Sequence, residues 1–198
     1  MRSCLSALLA LPLVALPLLA GGPQVGQPAP AFTLTDTQGR TLTLEALKGK
    51  VVVLEWTNPG CPFVVRHYGA GSLQALQAQA KAMGAVWITV NSTNPDHKDF
   101  LPAPALQAKL GQWKTAAAHV ALDAEGTVGK AYEAKTTPHL FVIDAQGKVA
   151  YMGGVDDDPR GTKADRIPHV AQALEALKAG KPLAVTTTAP YGCSVKYR

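Results

Sequence analysis

Apolar and polar residues alternate in two short runs early in the chain. Ala31-Phe32-Thr33-Leu34-Thr35-Asp36 and Thr41-Leu42-Thr43-Leu44 place an apolar side chain at every second position, as a half-buried strand does. Thr37-Gln38-Gly39-Arg40 between them has turn composition, so the two runs predict a hairpin. A short helical turn over 45–49 leads into an apolar run, Val51-Val52-Val53-Leu54, which predicts a buried strand over 51–56. Pro62 then starts a helix that the Gly69-Ala70-Gly71 triplet interrupts, with Ser72 expected to cap its continuation. Leu73, Leu76, Ala80 and Met83 share one face of that second helix, and 85–90 is a further buried strand. Strand, helix and strand in this order predict a parallel pair joined by a right-handed crossover. Beyond a loop at 91–97 the pattern predicts a helix over 104–115, a strand over 119–122, a helix over 127–134 and strands over 139–143 and 148–152. Asp144-Ala145-Gln146-Gly147 turns between the last two, and a final helix runs from Pro168 to Gly180. The segment 181–198 has no clear periodicity. The whole predicts an α/β domain with a central mixed β-sheet of about five strands, helices on both faces and an N-terminal β-hairpin.

Composition adds a leader to this picture. Met1-Arg2-Ser3 is a short basic start, residues 4–20 are almost wholly apolar with Pro12 and Pro17 inside, and Ala20-Gly21-Gly22 are small. This is the pattern of a secretory signal peptide over 1–22, cut near its small residues. A membrane anchor is the rival reading, disfavoured by the short run and its two prolines. The organisation expected is therefore a leader (1–22), a domain (23–180) and a tail (181–198) that carries Cys193. Export would deliver the protein to a periplasmic or secreted location, with membrane contact only during export. Cys4 would leave with the leader, and Cys61 and Cys193 would meet conditions in which disulfides form and persist. Loss of Arg2 takes the formal charge only from +5 to +4. No basic run with interleaved aromatics appears, so nucleic acid is not an expected partner.

The candidate chemistry lies in Glu55-Trp56-Thr57-Asn58-Pro59-Gly60-Cys61-Pro62. If Pro62 is the first helical residue, Cys61 is the N-cap. A helix N-terminus carries roughly half a positive charge, and a thiol placed there ionises more readily. Cys61 is thus the candidate nucleophile, against the alternative of half an inert structural bond. After removal of the leader Cys193 is its only possible internal partner. A bond between them would close a loop of about 130 residues and stabilise the chain by roughly 5 kcal/mol. The residues leave open whether Cys193 resolves an intermediate or staples the fold. Glu55, flanked by Leu54 and Trp56, is a candidate buried carboxyl with a raised pKa, or else an exposed or Lys-paired strand residue. Arg66 and His67 are expected on a solvated helix face, and Asp156-Asp157-Asp158 in a solvated loop. No metal site is expected.

Several stretches together resemble the thioredoxin-like superfamily in its redoxin and peroxiredoxin-like (AhpC/TSA-type) branch. They are Gly26-Gln27-Pro28-Ala29-Pro30-Ala31-Phe32, Lys48-Gly49-Lys50 before the apolar strand, the Trp56 to Pro62 turn, Thr137-Pro138 before Phe141-Val142-Ile143-Asp144, and Tyr191-Gly192-Cys193-Ser194-Val195-Lys196-Tyr197. The resemblance implies a thioredoxin-like fold, a catalytic Cys61, and a cis-proline at Pro138 facing it. Thr137, Pro138 and Pro62 would form the substrate-binding surface, and Glu55 would assist proton transfer. It also implies protein or small-molecule disulfides and thiols as substrates, a thiol protein as electron donor, and no cofactor. The chain departs from the pattern in three places. Val64 stands where a Cys-x-x-Cys motif has its second cysteine. Asn58 stands where a peroxiredoxin has threonine, and the Lys135-Thr136-Thr137-Pro138 stretch lacks the peroxiredoxin arginine. The expected activity is therefore thiol–disulfide exchange through Cys61 with Cys193 as a possible resolving cysteine. A thiol peroxidase and a non-catalytic domain stapled by a Cys61–Cys193 disulfide are the alternatives.

Overall fold

Thr33–Asp36 (β1) and Thr41–Thr43 (β2) form the expected hairpin, with Leu34 opposite Leu42. The computed structural model describes residues 22–198, so the leader apart from Gly22, and Cys4 with it, lies outside the described residues. A 3-10 turn over Glu45–Leu47 precedes the central strand β3 (Val52–Trp56). Helices α1 (Pro62–Gly69) and α2 (Ser72–Ala82) come next, then β4 (Val86–Asn91), α3 (Ala103–Gln112), β5 (His119–Leu122) and α4 (Thr127–Ala131). The chain ends through β6 (Thr136–Thr137), β7 (His139–Ile143), β8 (Val149–Gly153), α5 (His169–Lys178) and β9 (Cys193–Ser194).

Seven strands make one mixed sheet in the order β2-β1-β5-β4-β3-β7-β8, rather than the five the sequence predicts. Strands β3, β4 and β5 run parallel, and the remaining neighbours antiparallel. The difference arises because the hairpin joins the sheet through β1 and β5, with Thr35 opposite Leu122 and Asp36 opposite Ala121. Asp36 fastens that junction. Its carboxylate accepts from Arg40 Nε at 2.6 Å and pairs with His119 Nδ1 at 3.0 Å. Burial opposes its ionisation, but these bonds and backbone N–H groups win and hold its pKa at about 2.

Alternation along the buried strands sorts the core into two layers. Val53, Trp87, Leu140 and Val142 face the side covered by α1, α2, α3 and α5, where they pack with Tyr68, Leu73, Leu106 and Leu174. Leu54, Trp56, Ile88 and Phe141 face the other side, against Phe32, Leu42, Val128 and Tyr132 from the hairpin and α4. Period-two alternation puts Glu55 on the same face as Val53, beneath the helices.

The helical break falls where the glycines predict it. Gly71 has φ 71° and ψ 6°, a left-handed conformation that costs glycine little. Ser72 is not the cap: Gly71 holds that position, and the Ser72 hydroxyl turns back to the carbonyl of His67 at 3.1 Å. The acidic loop is a second correction. Asp156 and Asp158 are buried rather than solvated, because both serve as hydrogen-bond acceptors: Asp156 from the Asp158 N–H, and Asp158 from the N–H groups of Gly161, Thr162 and Lys163. The tail differs as well. It carries the two-residue strand β9, which pairs antiparallel with β6.

Candidate active site

Cys61 is the N-cap of α1, with φ −83° and ψ 122°, and Pro62 is the first helical residue. The Cys61 carbonyl accepts the first helical bond from Val65 N–H at 2.9 Å. Asn58 shapes the turn before it. Its carboxamide oxygen accepts from Gly60 N–H at 2.7 Å, and its carbonyl accepts from Cys61 N–H at 2.9 Å. Gly60 is also a close-approach position, since a Cβ there would come within 2.7 Å of the Asp99 carboxyl.

The Thr137–Pro138 bond is cis, and the Thr137 carbonyl points at the cysteine: Cys61 Sγ lies 2.9 Å from it. In the β6–β9 pair Cys193 lies directly across from Thr137 in register. Its carbonyl accepts from the Thr137 hydroxyl at 3.5 Å, and its thiol is close enough to Cys61 for each to shift the acidity of the other. Both cysteines are unbridged; Cys61 is buried and Cys193 half-buried. The structure therefore brings Cys61, Pro62, Thr137, Pro138 and Cys193 into one place, although the two cysteines stand at opposite ends of the folded chain.

Their acidities diverge. Burial pushes the Cys61 thiol up, but the Thr137 hydroxyl, the Val64 N–H and Cys193 all favour the thiolate and hold it below the ordinary thiol value. The Thr137 carbonyl, in contrast, accepts only from the protonated thiol and so opposes ionisation. On balance the Cys61 thiol stays below its ordinary value. Cys193 is pushed up to about 11 by burial, by donating to Cys61 and by the charge on Cys61, with Asp99 adding to the effect. Cys61 is thus the more acidic of the two thiols, and its neighbour holds its proton. That is the asymmetry a nucleophile and a waiting partner need.

Glu55 is fully buried and has no salt-bridge partner among the described residues. Oε2 accepts from Trp87 Nε1 at 2.8 Å, Gln77 Nε2 at 3.2 Å and Thr89 Oγ1 at 3.2 Å, and Oε1 accepts from the Tyr68 hydroxyl at 3.2 Å. Burial raises its pKa to about 7 against the pull of these four donors. No hydrogen bond joins Glu55 to Cys61 among the described residues, so any influence it has on the cysteine passes through space.

His67 corrects the sequence reading more sharply. It is buried, not solvated, and belongs to a polar chain that ends on the tail. Tyr191 Oη donates a short hydrogen bond to Asp156 Oδ1, and His67 Nε2 lies 2.9 Å from the same hydroxyl. The same nitrogen lies 3.3 Å from Arg66 Nη2, and Nδ1 lies 2.9 Å from Ser72 Oγ. Burial, reinforced by the adjacent Arg66 charge, lowers the His67 pKa to about 4, which keeps the imidazole neutral at neutral pH. Arg66 itself donates to the carbonyls of Asp158 and Pro159, both at 3.2 Å. Nothing local marks His67, Asp156 and Tyr191 as partners, because they lie far apart in the chain. The motif containing Gly192 was visible, but not the need for glycine within it. Gly192 has φ 140°, and a Cβ there would lie 2.1 Å from the Thr137 oxygen.

Comparison with known proteins adds an independent view. A family model described as Redoxin matches residues 24–174. Thiol-disulfide oxidoreductase ResA of Bacillus subtilis (strain 168) is 28% identical over 131 residues, which cover 63% of this chain and 64% of ResA. The aligned region thus spans less than two thirds of that relative. The crystal structure of an uncharacterized conserved protein from Geobacillus kaustophilus superposes with a TM-score of 0.79 at 25% identity, covering 88% of this chain and 93% of the other. The thioredoxin domain of a thiol-disulfide oxidoreductase from Bacteroides vulgatus superposes with a TM-score of 0.52 at 23% identity, over 65% of this chain and 87% of that one, a likeness of fold.

Proposed function

The chain belongs to the Redoxin family and has a thioredoxin-like fold, and from that premise we propose that it is an exported thiol–disulfide oxidoreductase with Cys61 as nucleophile and Cys193 as resolving cysteine. The observation that carries this reading is the convergence of Cys61 and Cys193 on Thr137, with Cys61 the more acidic thiol and Cys193 holding its proton. The relationship to ResA, an enzyme named for this activity, supports it. In the first step the Cys61 thiolate attacks one sulfur of a substrate disulfide. A Cys61–substrate disulfide forms and the other half leaves as a thiolate. Cys193 then attacks the Cys61 sulfur. Its proton passes to the second departing thiolate, and a Cys61–Cys193 disulfide remains. Two electrons have moved from the protein to the substrate, and a thiol protein restores the dithiol.

Thr137 and Pro138 form the docking surface in this reading, and Pro62 fixes the start of α1 beneath it. Glu55 acts through its charge state. Neutral below about pH 7, it leaves the Cys61 thiolate without a buried anion as neighbour. No organic cofactor enters any step. Residues 1–22 are the leader, supported by their basic start, apolar run and small residues. Residues 23–180 are the domain and 181–198 the tail bearing the resolving cysteine.

The test is disulfide exchange by the reduced protein, with Cys61→Ser and Cys193→Ser alongside. The wild type is expected to reduce a disulfide and form the internal bond, Cys61→Ser to do neither, and Cys193→Ser to accumulate a mixed disulfide on Cys61 visible by mass. Full activity in Cys61→Ser would sink the proposal. Oxidation by hydrogen peroxide far faster than by disulfides, followed by stopped flow, would replace it with a thiol peroxidase. An internal bond that mild dithiols reduce only on unfolding would replace it with a structural staple.

A further inference from the structure

Resting on the oxidoreductase reading, we propose that residues 191–197 occupy the edge where a disulfide-bearing peptide would dock. With the tail in place the site serves small diffusible disulfides, and it admits protein disulfides only after the tail has left. An extended peptide adds to an exposed backbone edge through main-chain hydrogen bonds. The edge beside Cys61 is β6, and here it is already paired. Thr137 faces Cys193 and Thr136 faces Ser194 in an antiparallel register, and Val195 N–H donates to the Lys135 carbonyl at 3.1 Å. The tail thus presents its own cysteine at the position a substrate cysteine would take.

The fit leaves no room for a second strand. Gly192 packs so tightly on the Thr137 carbonyl that even a Cβ would overlap it, and Cys61 is only 2% exposed. The segment is fastened on both sides of Cys193. Before it, the Tyr191 hydroxyl is held between Asp156 and His67. After it, Asn94 N–H donates to the Lys196 carbonyl at 2.8 Å, and Tyr197 Oη donates to the Ala134 carbonyl at 2.8 Å. On this proposal a small disulfide needs only one sulfur brought in line with Cys61 Sγ, through a shift of the half-buried Cys193 side chain. A polypeptide disulfide needs the whole β6–β9 pairing undone. The stoichiometry is the same for either substrate: one substrate disulfide becomes two thiols while the Cys61–Cys193 dithiol becomes one disulfide.

Single-turnover oxidation of the reduced full-length chain by glutathione disulfide and by insulin tests the proposal, with Gly192→Ala and Tyr191→Phe as variants that loosen the tail. Protection of the Val195 N–H against hydrogen exchange reports docking. The expected wild-type result is oxidation by glutathione disulfide at least about tenfold faster than by insulin, since the peptide route is scaled by the small undocked fraction. Both variants should lose Val195 protection and narrow that ratio by about tenfold, through faster reaction with insulin. A ratio unchanged in variants whose Val195 N–H has lost protection overturns the proposal. Should the variants fail to fold, the wild type still decides, because insulin reacting as fast as glutathione disulfide with Val195 protected also overturns it. No reaction of Cys61 with either disulfide overturns the oxidoreductase reading itself, and the substrate preference with it.

Discussion

Replacing Glu55 by glutamine should flatten one component of the protein's pH-dependent stability. The carboxyl titrates near 4.5 in an unfolded chain and near 7 in the fold, so the native state binds its proton more tightly. Stability from this group is therefore fully present below about pH 4.5 and is lost as pH rises through about 7. At about 1.4 kcal/mol per pKa unit the loss amounts to about 3 kcal/mol. Glutamine keeps the shape of the protonated acid and three of its four donors. Its oxygen can take the place of Oε2, which accepts from Trp87, Gln77 and Thr89, while its amide can donate to the Tyr68 hydroxyl in place of Oε1. Packing is kept and only the titration disappears. The assay is urea unfolding of both proteins from pH 4 to 9, read as wild type minus Glu55→Gln. Taking the difference removes His67 and His139, whose pKa values near 4 contribute stability that is present above about 6.5 and lost as pH falls through 4. The difference should fall with rising pH, most steeply between about 4.5 and 7. A flat or rising difference would refute the claim that burial outweighs the four donors.

Thiolate absorbance of the reduced protein should rise in two steps, the first below the ordinary thiol value of 9 and the second near 11, and the first should vanish in Cys61→Ser. Asp36→Asn should destabilise the hairpin junction by about 1–3 kcal/mol at neutral pH, through loss of charge-assisted bonds to Arg40 and His119. Because the Asp36 pKa is lowered from 3.8 to about 2, this stability is present above about pH 3.8 and lost as pH falls through 2, which acid unfolding of the pair would show.

The two kinds of residue in the site differ in how far the sequence reveals them. Cys61, Pro62 and Glu55 lie within one strand–turn–helix unit, where local rules apply: alternation buries Glu55, and proline at the first helical position makes Cys61 the cap. The alternation of β1 and β2 was equally local, and the hairpin formed as predicted. Its attachment to β5 was not legible, since it depends on Asp36 reaching Arg40 and His119 in three dimensions. His67 and Asp156 were misread for the same reason. A charged or polar residue on a short helix or acidic loop is ordinarily solvated, and only the arrival of Tyr191 from the tail turns these two into buried partners. Ser72 was misread because its hydroxyl finds an acceptor in the preceding turn, the His67 carbonyl, while the left-handed Gly71 already starts the helix.

Moving the second cysteine out of the helix changes what governs its encounter with the first. A cysteine one turn away on α1 would be held near Cys61 by the helix itself. Val64 occupies that place, and the partner arrives on a strand whose position depends on contacts to Asp156, His67, Lys135, Ala134 and Asn94. Reactivity of the pair is therefore coupled to docking of a segment held by hydrogen bonds, by the Gly192 contact and by packing of the Tyr191 ring on Phe63 and His67. The lowering of the Cys61 pKa comes partly from that segment, because Cys193 is one of the groups that favour its thiolate. On the proposed function, undocking would open the backbone edge of Thr137 to a substrate and at the same time remove that support from the attacking sulfur. Access and acidity thus oppose one another at this site, and the Thr137 hydroxyl and Val64 N–H are the donors that remain with Cys61 when the tail departs.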